Sequence, residues 1–247
     1  MFVACDFRNE SDTHKLSHRK LFVISEKKDI SATAKKNLSQ NADTSYIEFV
    51  FRAYDLVNIK LLDSSVRVDL RYADTSNFLK LNLYDGLKNA YFNCETALRI
   101  AAAQYYLKQN HPNLTLLILD ASRPQHVQQM MWDSLNMHPD LKFNYLAPPY
   151  ETSLHNYGCA VDVTLLDTKT NKSLDMGSDF DFFGKLSEPI FETKFLKSGE
   201  LSQQAYINRL ILRKVMQRAG LNPINSEWWH FSICNKAEAV KKFKLIK

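Results

Sequence analysis

The spacing of apolar residues along the chain predicts three helices. Apolar positions at helical spacing follow Asn93, a residue type that caps helices, and this pattern ends near Asn110. A second helical pattern covers 203–218. A third covers Pro124–Leu135, where the proline suits a helix start.

Other segments have the pattern of strands. Residues 66–70 alternate between apolar and polar side chains, as a half-buried strand does, and the apolar run 114–119 predicts a buried strand. Two more strands are predicted at 159–165 and 228–233, whereas 171–200 is predicted to be a loop. Strands and helices alternate without a strict βαβ rhythm or a glycine-rich phosphate loop, so the pattern predicts an α+β domain rather than a nucleotide-binding one.

The first 45 residues differ in texture from the rest of the chain. They mix Lys, Ser, Asn, Asp and Thr with little periodicity, apart from the apolar run 21–24. We therefore expect a partly irregular N-terminal extension over 1–45, built around one short strand, and a single domain over 46–247 that ends in a basic tail.

Composition and charge narrow the class of protein. Of the 247 residues, 45% are hydrophobic and 24% are charged, which is typical of a globular protein with a packed core. The net charge is +5, but the last thirteen residues hold five lysines and one glutamate and so supply +4 of it. This indicates a solvated basic tail. No basic motif with interleaved aromatic residues accompanies the tail, so nucleic-acid binding is not expected.

Cysteine spacing and the lack of long apolar runs exclude other classes. The four cysteines form no CxxC pair, so neither a cysteine zinc site nor a redox motif is indicated, and free thiols are expected. No window approaches 18 apolar residues, and the N-terminus has no basic segment before an apolar core, so no membrane span is expected. The expected compartment is the cytoplasm, with the periplasm or cell envelope as the alternative if the true start lies upstream.

Three residues have the chemistry of a catalytic zinc site. Such sites keep three nitrogen or oxygen ligands and one open position in a tetrahedron. His155, Asp162 and His230 supply that set, and Gly158 can allow the turn that carries the chain from His155 to Asp162. Taken alone, a His and an Asp at this spacing are more often surface or helix-capping residues.

Glu227 precedes His230 by three residues in the segment EWWH. A carboxylate beside a catalytic metal can act as the general base toward a bound water. Residues three apart face opposite sides of a regular strand, so Glu227 and His230 can converge only where the backbone bulges or turns. The alternative is a core strand with packed tryptophans and exposed polar ends.

Arg123 lies between the strand that precedes Asp120 and the helix that begins at Pro124. Its guanidinium can donate to a carbonyl oxygen that becomes negative in a tetrahedral intermediate, with Asp120 holding it in place. An arginine at such a junction is more often the partner of a structural salt bridge.

In this order the motifs resemble the D-alanyl-D-alanine dipeptidases, zinc enzymes related in fold to D,D-carboxypeptidases and to the hedgehog signalling domain. The resemblance covers roughly residues 46–235. It rests on VDLRYA with Asn77-Phe78, on DASRP, on SLHNYGCAVDVTL, on MGSDFD and on EWWHF. It implies a hedgehog-like α+β domain with a central, mostly antiparallel sheet flanked by helices.

Carried over residue by residue, the resemblance implies a role for each metal-site candidate. One Zn2+ per chain would be bound by His155, Asp162 and His230. Glu227 would activate a zinc-bound water, and Arg123 would stabilise the transition state. The implied reaction is hydrolysis of D-Ala-D-Ala or another small D,D-dipeptide, in the metabolism of peptidoglycan.

The resemblance also implies a binding site for the substrate and leaves its shape open. Ser153 and Asp181 fall where the family binds the free amino end of the dipeptide, and a carboxylate suits a buried ammonium. Two positions depart from the family: Ser122 replaces an aromatic residue before the Arg-Pro pair, and Leu79-Lys80 stands where a glycine is usual. These departures put the preference among D,D-substrates in doubt.

Two alternatives to a dipeptidase stay open at this point. A D,D-carboxypeptidase that trims peptidoglycan stem peptides would need an open groove at the amino end of the site. A non-catalytic binding module would keep zinc only for stability. Glu227 favours an enzyme, because a structural zinc site needs no unliganded carboxylate beside the ion.

Overall fold

The computed structural model of the chain describes residues 45–143 and 146–247. The expected extension, with its short strand at 21–24, lies outside the described residues apart from Ser45. The helices of the described part are α1 (Tyr46–Ala53), α2 (Cys94–Asn110), α3 (Gln125–Ser134), α4 (Pro139–Lys142), α5 (Glu192–Ser198), α6 (Gln203–Arg218) and α7 (Lys236–Lys242). The strands are β1 (Val57–Asn58), β2 (Arg67–Val68), β3 (Tyr91–Phe92), β4 (Leu114–Asp120), β5 (Ala160–Asp167), β6 (Lys172–Ser173), β7 (Asn222–Pro223) and β8 (His230–Ser232).

A mixed sheet in the strand order β2-β4-β5-β8-β7 organises the domain, with β6 paired to β5. The pairings of β5 with β4, β6 and β8 and of β7 with β8 are antiparallel, whereas β2 runs parallel to its neighbour β4. Strands β4 and β5 are buried along nearly their whole length, as their apolar sequences require. The predicted α+β domain with a central, mostly antiparallel sheet is confirmed.

The predicted helices are present with nearly the predicted ends. Asn93 caps α2 by accepting a hydrogen bond from the Thr96 N–H, and that helix ends at Asn110. Helix α6 covers the whole predicted range, and α3 begins directly after Pro124. Residues 121–124 connect the C-terminal end of β4 to the start of helix α3.

The prediction of a loop over 171–200 is wrong in part, because α5 lies inside that range. The helix has seven residues, too few to show a helical period in the sequence. It ends at Gly199, whose φ of 80° is the left-handed conformation that suits a helix C-terminus.

The cysteines differ in part from the expectation of free thiols. Cys159 and Cys234 are free and buried. Cys94 is disulfide-bonded, so the prediction is wrong at that position. Within the part of the chain that the structure describes, no helix has the length and apolar character needed to cross a membrane.

Candidate metal centre

Three residues of neighbouring strands lie in one row across the sheet. Asp162 of β5 lies opposite Asp120 of β4 on one side and opposite His230 of β8 on the other. Directly opposed residues of antiparallel strands project from the same face of a sheet. The register of the sheet therefore places two carboxylates and an imidazole side by side.

His155 reaches this row from a short 3-10 turn, Leu154–Tyr157. Ser153 caps the turn, since its Oγ accepts a hydrogen bond from the His155 N–H at 3.3 Å. The turn ends at Gly158, whose φ is 65°, and a Cβ there would lie only 2.8 Å from Asn93 N. The predicted need for glycine at this turn is confirmed.

The ligand atoms of the three predicted metal residues face one another. His155 Nε2 lies 3.3 Å from His230 Nδ1 and 3.4 Å from Asp162 Oδ1, and His230 Nδ1 lies 3.0 Å from the same oxygen. Ligands bound at about 2.0–2.1 Å to a tetrahedral zinc ion are about 3.3–3.4 Å apart, so this spacing fits the ion. Residues His155, Asp162 and His230 can therefore bind one metal ion.

The surroundings of His155 favour the same assignment. Its Nδ1 lies 2.7 Å from the carbonyl oxygen of Ala121, and as an N–H donor to that oxygen it leaves the lone pair of Nε2 free for a metal. The backbone ties the two segments together again, because Arg123 N donates to His155 O at 3.0 Å. Burial opposes the charged form of Asp162, but His155 and then His230 outweigh it and lower the pKa of that carboxyl.

Glu227 approaches the metal residues through a bend in the backbone. Strand β8 begins only at His230, and the chain bends at Trp228 and Trp229. As a result Glu227 Oε2 lies 3.9 Å from His230 Nδ1, although the two residues are only three apart. The condition set by the sequence, a departure from a regular strand, is met. Loss of hydration raises the pKa of Glu227 to about 7; His230 opposes the rise and Asp162 adds to it.

Arg123 is held from two sides in the interior. Its Nη2 makes an ion pair with Asp120 Oδ2, and its Nη1 donates to Gln128 Oε1 at 2.7 Å. Asp120 also accepts a hydrogen bond from the Tyr84 hydroxyl at 2.6 Å. The guanidinium lies 5.3 Å from the centre of the Tyr72 ring, and its Nε is buried without a hydrogen-bond partner among the described residues. The structural and the functional interpretation of Arg123 are therefore compatible, because the salt bridge leaves part of the guanidinium unpaired.

Asp181 faces the metal residues from the loop between β6 and α5. The Tyr72 hydroxyl donates to Asp181 Oδ2 at 2.9 Å. Burial, with the negative charge of Asp162 adding to it, raises the pKa of Asp181 well above its ordinary value. Its φ of 59° lies in the left-handed region, which aspartate tolerates better than most residues with a Cβ.

Arg209 of α6 tethers the loop that carries Asp181. Its Nε donates to Met176 O at 2.6 Å and its Nη2 to Leu186 O at 2.9 Å, so the loop is bound on both sides of Asp181. Arg209 is 2% exposed, and its Nη1 lies 3.4 Å from the Glu192 carboxylate. Sequence reasoning did not single out Arg209, because nothing near it in the chain marks it as different from a surface arginine on a helix.

The sequence-predicted site residues all line one cavity of about 180 Å³: Arg123, Ser153, His155, Asp162, Asp181, Glu227 and His230. Tyr72 and Gln128 also line it, and sequence analysis gave neither of them a role. Apolar walls come from residues such as Phe78, Leu146, Ile224 and Trp229.

The two departures from the family pattern have different structural consequences. Ser122 is buried, and its Oγ donates to Tyr91 O at 2.6 Å, outside the lining of the cavity. Lys80 has a φ of 57°, the conformation that glycine adopts without strain. Lys80 lines a neighbouring cavity of about 400 Å³ that shares Phe78 and Asp181 with the first. Neither Ser122 nor Lys80 lines the cavity of the metal residues, but Lys80 lines the cavity beside it.

Comparisons with known proteins find relatives in one family. A family model described as D-ala-D-ala dipeptidase matches residues 52–246. A D-alanyl-D-alanine dipeptidase of Escherichia coli is 30% identical over 179 residues, which cover 72% of this chain and 84% of that protein. The protein of the same name from Enterococcus faecium is 26% identical over 186 residues, covering 67% of this chain and 85% of its own. The one from Synechocystis is 27% identical over 162 residues, covering 54% and 65% respectively.

Proposed function

The chain belongs to the D-ala-D-ala dipeptidase family and is a peptidase, and from that premise we propose that it hydrolyses D-alanyl-D-alanine, or a closely related D,D-dipeptide, with one bound Zn2+. One observation carries the proposal: a single small cavity collects the metal residues, a carboxylate, a guanidinium and a second carboxylate at a separate position. These are the groups that an enzyme needs in order to bind a free dipeptide and hydrolyse its peptide bond.

His155, Asp162 and His230 would hold the zinc ion. When bound, the ion supplies Lewis acidity that polarises the scissile carbonyl and makes a water acidic enough to attack near neutral pH. The fit rests on the 3.0–3.4 Å spacing of the three ligand atoms and on the tautomer of His155 that Ala121 O selects.

Glu227 is the proposed general base and acid. Its carboxylate lies 3.9 Å from His230 Nδ1, beside the metal residues but outside the ligand set. From there Glu227 takes the proton of the attacking water and returns it to the nitrogen of the leaving D-alanine. The same side chain can serve both steps because the attacking oxygen and the leaving nitrogen are bonded to one carbon in the intermediate.

Arg123 is the proposed donor to the oxyanion. A buried guanidinium that is already oriented stabilises developing negative charge without reorganising during the reaction. Asp120 and Gln128 supply that orientation, and the Nε–H has no partner to give up within the described part of the chain.

Asp181 is the proposed partner of the substrate ammonium. A buried ammonium needs a charged acceptor, and its positive charge favours the ionised form of Asp181, which has the Tyr72 hydroxyl on one oxygen and offers the second. Ser153 lines the same cavity and already caps the turn of His155, so we propose that it orients the amino end while it shapes that turn.

The size of the cavity favours a dipeptide over a peptidoglycan stem peptide. A volume of about 180 Å³ equals that of about six water molecules and lies below the about 300–1,000 Å³ of sites for drug-sized ligands. Two alanine residues suit such a volume, whereas a pentapeptide requires most of its length to lie elsewhere.

An assay of four substrates tests the proposal. Purified zinc-loaded protein should release D-alanine from D-Ala-D-Ala, and should act at least about 100-fold more slowly on N-acetyl-D-Ala-D-Ala, which lacks the ammonium. L-Ala-L-Ala is the stereochemical control, and a pentapeptide ending in D-Ala-D-Ala represents the stem peptide. Cleavage of the pentapeptide alone would overturn the dipeptidase proposal in favour of a carboxypeptidase, and no hydrolysis of any of the four would overturn both.

A further inference from the structure

The guanidinium of Arg123 has a second anchor besides Asp120. The Asp120 carboxylate pairs with Nη2, while Gln128 Oε1 accepts a hydrogen bond from Nη1 at 2.7 Å. One anchor would let the planar group pivot about that contact, whereas anchors on both terminal nitrogens fix its plane. Arg123 is 5% exposed, so water does not compete for either contact.

Gln128 is itself fully enclosed and uses both halves of its amide. Its side chain is 0% exposed, and while its oxygen accepts from Arg123 its Nε2 donates to Ala147 O at 2.7 Å. Gln128 belongs to α3, whereas Ala147 lies after α4 in the chain and lines the same cavity next to Leu146. The amide therefore connects the guanidinium to the backbone of a second segment that lines the cavity.

The two anchors leave one nitrogen of the guanidinium without a partner in the described part of the protein. Arg123 Nε is buried and has no hydrogen-bond partner among the residues that the structure describes. A buried N–H without a partner is unusual and calls for an explanation such as a ligand that accepts from it. Because Asp120 and Gln128 occupy the terminal nitrogens, the guanidinium cannot rotate to satisfy Nε from within the protein.

We infer that Gln128 is a positioning residue for the proposed peptidase reaction: it fixes the plane of the Arg123 guanidinium against the backbone at Ala147 and so keeps the guanidinium aligned with the substrate. This inference rests on the proposed role of Arg123 as donor to the oxyanion. Gln128 acts through Arg123 and contributes no bond of its own to the reacting atoms.

A double-mutant cycle tests whether Gln128 acts through Arg123. Gln128→Leu removes both hydrogen bonds at similar volume, and we expect kcat for D-Ala-D-Ala to fall about 10- to 100-fold with little change in KM, because the guanidinium loses its alignment. In an Arg123→Ala background the same substitution should lower kcat by less than about threefold, because the residue through which it acts is gone. If the leucine variant does not fold, Gln128→Met takes its place in the cycle, since methionine adapts to irregular space.

Two further variants refine the cycle. Gln128→Glu keeps the acceptor oxygen for Arg123 but loses the donor to Ala147 O, so it should retain more kcat than Gln128→Leu. Gln129→Leu is the matched control, because Gln129 is the exposed neighbour on the same helix and its side chain donates to Asp133, away from the cavity. It should behave as the unsubstituted protein.

A spectroscopic measurement separates this inference from the proposed function. The ¹H–¹⁵N signal of the Arg123 Nε–H, assigned by its absence in Arg123→Lys, should move in Gln128→Leu and stay in place in Gln129→Leu, whether or not the protein hydrolyses any dipeptide. An unmoved signal in Gln128→Leu would overturn the inference. So would equal losses of kcat in both arms of the cycle, or a loss confined to KM, which would mean that Gln128 touches the substrate itself.

Discussion

Glu227 Oε2 lies 3.9 Å from His230 Nδ1 because the backbone bends at the two tryptophans between them. Because of the bend, the side chains of Glu227 and His230 lie close together, although the residues are three apart in the sequence. His230 belongs to the ligand set, and Glu227 lies beside it. The two residues therefore have separable roles, and substitutions can tell them apart.

Replacing the carboxylate of Glu227 should abolish turnover and spare the metal. Glu227→Gln keeps the shape of the side chain but cannot accept a proton, so kcat for D-Ala-D-Ala should fall about 10²- to 10⁴-fold. Zinc content, measured by elemental analysis of the dialysed protein, should stay unchanged. Glu200→Gln, at an exposed glutamate outside the cavity, is the control. A Glu227→Gln variant with full activity would reject the mechanism.

Removing one metal ligand, in contrast, should lower the zinc content of the protein. His155→Ala leaves only Asp162 and His230, so the protein should retain much less than one zinc ion per chain after dialysis. Because a metal that binds only the folded state stabilises it, added zinc should raise the Tm of the metal-depleted unsubstituted protein and not that of the variant. His126→Ala, at an exposed histidine on α3, should still respond to zinc. Stoichiometric zinc in the His155 variant would contradict the assigned ligand set.

Lys80 is a position where glycine should stabilise the fold. Its φ of 57° is strained for any residue with a Cβ, so Lys80→Gly should raise the free energy of unfolding by about 0.5–1 kcal/mol, after allowance for the greater freedom of glycine in the unfolded chain. Lys80→Ala keeps the Cβ and should give no such gain. Urea denaturation of the two variants measures the difference, and equal stability of both would show that the backbone conformation is not the cause.

Arg209 should matter more for stability than its neighbour Arg213. Both contact Glu192, but the side chain of Arg209 is 1% exposed and that of Arg213 22% exposed. Arg209→Met leaves the carbonyl oxygens of Met176 and Leu186 without their donor and frees the loop of Asp181, so it should lower the free energy of unfolding by about 2–6 kcal/mol. Arg213→Met should lower it by less than about 2 kcal/mol. Urea denaturation compares the two, and losses of equal size would contradict the tether.

Residues with local signals were predictable from the sequence. His155, Asp162 and His230 have the side-chain chemistry of metal ligands, although that chemistry alone is weak evidence. Asn93 marks the start of α2, and Gly158 marks a turn between two of the candidate metal residues. In each case the information lies within a few residues of the position in question. The resemblance to a known family supplied the remainder, including Asp181.

Residues that act across long stretches of chain were not predictable in this way. Arg209 binds Met176 O from 33 residues away, and Tyr72 reaches Asp181 across 109 residues. Gln128 has a partner five residues away in Arg123, but its second partner, Ala147 O, is a backbone atom and leaves no mark on the sequence. Buried polar side chains of this kind are recognised only from the packing around them.

The row formed by Asp120, Asp162 and His230 ties the chemistry of the site to the integrity of the sheet. The backbone of the ligands on β5 and β8 is ordered when the strands pair. The entropy cost of ordering these residues is therefore part of folding, and metal binding does not add it again. Metal-depleted protein should therefore present the same ligands to a returning ion. A slip of one residue between β5 and β8 would move His230 to the opposite face of the sheet. A chain with these two strands out of register would therefore lose a metal ligand and, with it, its activity.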